Sequence, residues 1–149
     1  MIELPWYNRR IINAGSSGVV YNIDNKAVKL GVIERKEYNR QVYFSHLGLA
    51  LPVHYYERWM PIPDYIAKEL CFIHGYRHDF YGDAGCECWE LQADILIMDI
   101  AEPVEDTPEI NSAAEYLNQY SIAIFGHGRD TRHLNIGKYK GYIVGLDWG

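Results

Sequence analysis

Long apolar runs are the first thing this chain lacks. No window of its 149 residues offers the roughly 18 uninterrupted apolar side chains of a membrane-spanning helix, which excludes a helical membrane protein. Basic residues are in the minority, 14 Lys and Arg against 20 Asp and Glu, for a net charge of -6. That balance argues against nonspecific nucleic-acid binding as a main activity. Cysteine is scarce and odd in number, three in all, so no disulfide framework is expected and a reducing cytoplasm is the natural reading. The opening Met1-Ile2-Glu3-Leu4-Pro5 has no basic region followed by an apolar stretch, so no signal peptide is expected. Repeats and low-complexity linkers are missing too. What is present is a 48% hydrophobic composition, 14% aromatic, with 13 tyrosines. Such apolar content excludes general disorder and is enough to build one compact domain.

The local pattern begins with strands. Tyr7–Ile12 reads as a strand, Asn13–Gly18 as a glycine-serine turn, and Val19–Ile23 as the return strand. Asp24-Asn25 is a turn pair before a third strand, Lys26–Leu30. From Ile33 to Leu47 the apolar spacing becomes helical, with Gly48 suited to the helix end. Leu51–Cys88, with three prolines and the Tyr81–Gly85 turn, is expected to form strands with a long insertion or hairpin. Asp94–Met98 is short and apolar, a buried strand. Residues 101–108 form a connector. Asn111 is placed as the cap of a helix over Ser112–Phe125, followed by a loop over Gly126–Leu134 and a strand at Tyr142–Leu146.

Several residues could carry chemistry. Glycines at 15 and 18 allow close approach of a ligand, and the N–H groups around Ser16 and Ser17 could face phosphate oxygens. A plain hairpin turn needs glycine as well, so the turn alone does not separate the two readings. Lys29 sits within an apolar strand and could bind phosphate, with Glu37 of the next helix as its carboxylate partner and Glu34 one turn away. An ordinary charged helix face would look the same. Asp130, Asn135 and Asp147 together offer a hydroxyl-orienting carboxylate plus two oxygen ligands of the kind Mg²⁺ requires. Taken singly, each would pass for a turn or cap residue.

The order of these features resembles the protein kinase fold, including its small-molecule and atypical branches. Asn13-x-Gly15-x-x-Gly18-x-Val20 is similar to the glycine-rich loop G-x-G-x-x-G-x-V at three of four positions. Lys26-Ala27-Val28-Lys29 looks like the third-strand lysine motif. Asp130-Thr131-Arg132-His133-Leu134-Asn135 resembles the catalytic loop, and Asp147-Trp148-Gly149 the Asp-Phe-Gly motif. Ile95–Ala101 looks like the fifth strand entering a hinge near Asp99–Glu102. The resemblance spans Tyr7 to Gly149. It implies a two-lobed α+β fold, with an antiparallel N-terminal sheet, one packed helix and a reduced helical C-terminal part. Residues 1–100 would be the N-lobe-like part of a single domain, and 101–149 would hold hinge, helix and catalytic-loop remnant.

The same resemblance implies ATP and Mg²⁺ as ligands and phosphoryl transfer to a hydroxyl as the activity. Gly15, Ser16, Ser17, Gly18, Val20 and Lys29 would meet the nucleotide, Met98 would be the gatekeeper, and the backbone at Asp99 and Ala101 would meet adenine. Glu37 would position Lys29. Asp130 would act on the acceptor hydroxyl, Arg132 would offset phosphoryl charge, and Asn135 and Asp147 would hold metal. Departures from the pattern are Asn13 for the first glycine and Gly128 where a histidine is usual. The chain also ends at Gly149, without an activation loop or substrate platform. The rival expectation is therefore a noncatalytic pseudokinase-type module or inhibitor acting through a protein partner, or a homo-oligomer covering Tyr116, Tyr120 and Ile124. Cys71, His74, His78, Cys86 and Cys88 have zinc-compatible ligand types in an irregular spacing, and a hairpin without metal is the expected reading.

Overall fold

A computed structural model describes residues 3–15, 18–73, 92–126, 128, 135–146 and 148. The fold is α+β, with an antiparallel five-stranded sheet of order β1 (Arg9–Gly15), β2 (Gly18–Ile23), β3 (Lys26–Gly31), β5 (Gln92–Asp99), β4 (Val53–Pro61) and a three-stranded sheet of β6 (Glu102–Pro103), β7 (Ile136–Tyr139) and β8 (Tyr142–Gly145). Two compact units can be separated. The first comprises residues 1–34 and 54–98, and the second residues 35–53 and 99–149.

The first unit opens with a meander. β1 (Arg9–Gly15) pairs antiparallel with β2 (Gly18–Ile23), with a bulge between Ile11 and Asn13, and β2 pairs antiparallel with β3 (Lys26–Gly31). The turn expected at Asp24-Asn25 is there. Both residues have positive φ, 51° and 62°, the mirror-image turn whose twist suits a two-residue hairpin. β4 (Val53–Pro61) begins in the other unit and continues here, and β5 (Gln92–Asp99) is buried over its middle six residues. The expected strand Asp94–Met98 lies inside β5.

A helix not foreseen in the sequence covers one face of this sheet. α2 (Asp64–Ile73) follows Pro63 and buries Ile66, Ala67, Leu70 and Cys71 against Val19, Tyr21, Val28, Leu30, Ile95 and Ile97. The three prolines of Leu51–Cys88 all precede this helix, and Pro61 ends the strand before it. Pro63 sits just before the first turn, where a missing N–H costs nothing. α2 is also tied down by charge. Arg9 on β1 donates from Nε to Glu69 Oε1 at 2.9 Å and from Nη2 to Oε2 at 2.8 Å, and Tyr21 Oη donates to Oε1 at 2.8 Å. The Arg9 bonds hold the Glu69 carboxyl below its ordinary range. Burial and the bond to Glu69 push the Tyr21 phenol well up. Residues 74–91, which include His74, His78, Cys86 and Cys88, lie outside the described residues. Cys71 is disulfide-bonded, so the odd cysteine count did not mean that every thiol is reduced, and it no longer argues for a reducing compartment.

Asp94 is the other polar anchor. Nearly devoid of solvent contact, it accepts from Ile33 N at 2.9 Å, from Trp59 N at 3.0 Å and from Arg58 Nε at 3.1 Å. Trp59 has φ 59°, a strained backbone for a bulky residue, and the Asp94 carboxylate stabilises it.

The second unit is built around α1 (Arg35–His46) and α3 (Pro108–Phe125). Phe44 of α1 is fully buried with Ala50, Ala114, Leu117, Ile136 and Trp148. Helix α3 starts four residues earlier than the expected Ser112. Thr107 is its N-cap, accepting from Ile110 N at 3.3 Å, and Pro108 fills the first position; Asn111 already lies inside the helix. β6 (Glu102–Pro103) pairs with β7 (Ile136–Tyr139), and β7 with β8 (Tyr142–Gly145) through a turn in which Lys140 and Gly141 have positive φ. Only β8 was expected of this hairpin. No described helix is long and apolar enough to cross a membrane.

The Arg9–Glu69–Tyr21 set carries a pH signature. A carboxyl lowered by folding contributes stability that is complete above its unfolded value near 4.5 and is lost as pH falls through the folded value. Chemical denaturation across pH 3–6 is expected to show this loss, and Glu69→Gln to flatten it while destabilising the protein at pH 7 by about 1–3 kcal/mol. An unchanged pH profile in Glu69→Gln would assign the acid sensitivity elsewhere.

Candidate functional site

Strand register decides which side chains share a surface. In the β2/β3 ladder Val20 faces Lys29 and Asn22 faces Ala27, so these four lie on one face of the sheet. Val19, Tyr21, Ile23, Val28 and Leu30 lie on the other, packed with α2. On β5, Ala93, Ile95 and Ile97 join that α2-covered core, and alternation puts Leu96 and Met98 on the opposite face. Val20, Asn22, Ala27, Lys29, Asp94, Leu96 and Met98 therefore lie on one face of the sheet in the first unit. Lys29 is only 7% exposed and Met98 only 4%. Leu96 was not picked out from the sequence, although its position two residues before Met98 in a strand was the available signal.

The glycine turn has a structural explanation of its own. Gly15 and Gly18 form the last pair of the β1/β2 ladder, and a Cβ on Gly18 would stand 2.4 Å from the Leu30 carbonyl oxygen. The close approach of β2 to β3 thus requires glycine at 18 before any ligand is considered. Ser16 and Ser17, at the turn, lie outside the described residues.

In the second unit Glu37 occupies the first turn of α1. Lys29 belongs to the first unit, so the two residues of the expected ion pair fall in different units. Asn135 immediately precedes β7, and its carbonyl accepts from Leu146 N at 2.9 Å. The β7/β8 hairpin thereby joins Asn135 to the residue that precedes Asp147. Trp148, which follows Asp147, is 3% exposed; its ring stacks on Phe44 at 3.8 Å and its indole N–H donates to the Gly145 carbonyl at 3.2 Å. Asp130, Arg132 and Asp147 themselves lie outside the described residues.

The segment leaving β5 is held at several points. Asp99 N donates to the Pro52 carbonyl at 3.1 Å, and Tyr139 Oη donates to Asp99 Oδ2. That bond raises the Tyr139 phenol above its ordinary value. Glu102 and Pro103 pair with Lys138 and Gly137, and a Cβ on Gly137 would meet the Ala101 methyl at 2.6 Å. Tyr139 was not a sequence candidate, and no sequence signal links it to Asp99. Of the surface expected to need cover on α3, Tyr116 and Ile124 are exposed, while Tyr120 is half-buried beside Phe44, ring centroids 6.1 Å apart. Among the described residues no group of three His, Cys, Asp or Glu could hold a metal ion. A disulfide-bonded Cys71 has no thiolate to give a zinc ion.

Comparison with protein-family models, curated proteins and solved structures returns no match to this chain. The functional reading therefore rests on the residues.

Two substitutions separate structural from functional demands. Gly18→Ala forces β2 away from Leu30 and is expected to cost about 1–3 kcal/mol in urea denaturation, with or without any ligand. Trp148→Ala removes the stacked ring from the Phe44 core and is expected to cost about 3–5 kcal/mol. A Trp148→Ala protein as stable as the parent would mean that the ring carries no part of this core.

Proposed function

We propose that this chain binds ATP with Mg²⁺ and transfers the γ-phosphoryl group to a hydroxyl acceptor. The observation that carries the proposal is the shared face of Val20, Ala27, Lys29, Leu96 and Met98, where a nearly buried lysine sits among apolar side chains. A nucleotide matches such a surface, with a flat apolar base and an anionic tail. Lys29 orients the phosphates, and the carboxylate the sequence pattern assigns to it is Glu37. Asp130 accepts the hydroxyl hydrogen bond of the acceptor and aligns its oxygen, and Arg132 offsets charge on the transferred group. Asn135 and Asp147 hold the metal. Mg²⁺, when bound, supplies charge neutralisation at the phosphates.

Nucleotide binding has a direct readout. A ligand that binds only the folded state at a hundredfold excess over Kd stabilises it by about 2.7 kcal/mol. Millimolar ATP with Mg²⁺ is therefore expected to raise Tm by several degrees, and Lys29→Ala or Asp147→Ala to shrink the rise. No shift in the unmutated protein, with calorimetry agreeing, would end the proposal. Catalysis is tested separately: Asp130→Asn is expected to keep ATP binding while lowering transfer by about 10²–10⁴-fold.

A second reading draws on the surface of α3, where Tyr116 is 57% and Ile122 48% exposed. Exposed aromatic and aliphatic side chains on one helix suit a noncatalytic module that acts through a protein partner. ATP binding without ADP formation across protein and small-molecule acceptors would favour it.

A further inference from the structure

One residue of β4 has a backbone that suits glycine. Tyr55 packs against the α2-covered core, and Met60 and Ile62 belong to it, although unbroken alternation would put these two on the opposite face. Arg58 meanwhile reaches Asp94, on the uncovered face. The strand changes phase at Trp59, where φ is 59°, a value glycine adopts freely and a bulky side chain does not. The indole brings little to the core in return, being 65% exposed. A tryptophan that strains the backbone and stays outside the core points to a use at the surface.

Its surroundings hold it in that position. The Asp94 carboxylate, 2% exposed, accepts from Trp59 N through Oδ1 at 3.0 Å and from Arg58 Nε through Oδ2 at 3.1 Å. One buried group thus fixes both the backbone of Trp59 and the side chain of Arg58, whose guanidinium lies 5.0 Å from the indole centroid. Among the described residues, the terminal nitrogens of Arg58 and the indole N–H of Trp59 have no bonded partner. Tryptophan and arginine are among the side chains most enriched where protein complexes gain their affinity, and prior ordering of such a pair lowers the entropy cost of binding. The pair offers one positive charge, donors only, and one flat apolar ring. Its complement is one carboxylate beside a flat apolar group. Arg58 is the only Lys or Arg in β4, so this strand lacks the row of cations that a nucleic-acid backbone or an anionic lipid surface requires. We propose that Arg58 and Trp59 form a docking site for an acidic, proline-containing segment of a partner protein, with the carboxylate on the guanidinium and the proline ring on the indole. This site is independent of the nucleotide-binding reading above.

The test uses the full chain and an end-blocked synthetic peptide of alternating glutamate and proline. Binding is read by NMR on the indole N–H signals of the chain's four tryptophans, the one lost in Trp59→Gly belonging to Trp59. The peptide is expected to shift that signal in a saturable way, and the uncharged peptide with glutamine for glutamate to bind at least about tenfold more weakly. Trp59→Gly is expected to abolish binding with a Tm no lower than the parent's, because glycine relieves the left-handed strain. Trp59→Asn places a second residue that tolerates this backbone and is expected to behave alike, so either variant carries the comparison. Arg58→Gln is expected to bind both peptides equally, at the level of the uncharged one. No shift of the Trp59 signal at millimolar peptide overturns the proposal, as does equal affinity of the unmutated protein for the two peptides. A lower Tm in both Trp59 variants makes the indole a structural residue and overturns it too. Saturable binding of a thymidine oligonucleotide or of phosphatidylserine vesicles at this indole, in place of the peptide, gives the site to another class of partner with the same result.

Discussion

Two charged side chains, Lys29 and Asp94, lie on strands of the main sheet that are buried along nearly their whole length. A charge in such a place is costly unless it is bonded on all sides, and this constraint organises the first unit. Asp94 meets it with three donors, and in doing so fixes the end of β3 against β4 and sustains the unusual backbone at Trp59. Its role is complete within the protein. Register puts Lys29 on the same face as Asp94, the one that α2 does not cover. The same face of the sheet thus holds two nearly buried charges of opposite sign.

Much of the first unit was legible because its signals are local. Asp24-Asn25 between alternating runs names its own turn, and the apolar run at Asp94–Met98 can hardly be other than a buried strand. Helix α2 was missed because the three prolines and the Tyr81–Gly85 turn of Leu51–Cys88 suggest strands with an insertion or hairpin, while the spacing of Ile66, Ala67, Leu70 and Cys71 already fits a helical face. The start of α3 was placed at a plausible cap, Asn111, when Thr107 followed by Pro108 is the stronger start signal. β7 escaped because a four-residue strand containing glycine has almost no periodicity, and its partner turn uses Lys140-Gly141 in place of the usual asparagine.

The candidate site was legible as an order of motifs and not as contacts. Spacing picked out Lys29, Met98, Asp99 and Asn135, but not the bond from Asn135 to Leu146, nor the hydroxyl of Tyr139 on Asp99. These depend on how the β7/β8 hairpin closes, a long-range event that leaves no mark on neighbouring residues. The glycine turn shows the opposite limit. Gly18 looked like a ligand residue, yet the Leu30 carbonyl alone is reason enough for it.

The bulge in β1 has a consequence for colloidal behaviour. Among the described strands, β1 and β4 are the sheet edges, and β1 carries Ile11 and Ile12 substantially exposed. A flat edge with that sequence would template pairing with another chain, the usual first step of aggregation. The register shift between Ile11 and Asn13 breaks the ladder where those isoleucines sit, and Arg9 and Arg10 place charge at its start. On the far edge, β4 contains Trp59 with a left-handed backbone. An incoming strand therefore meets a broken ladder along the β1 edge, which limits how far it can pair there.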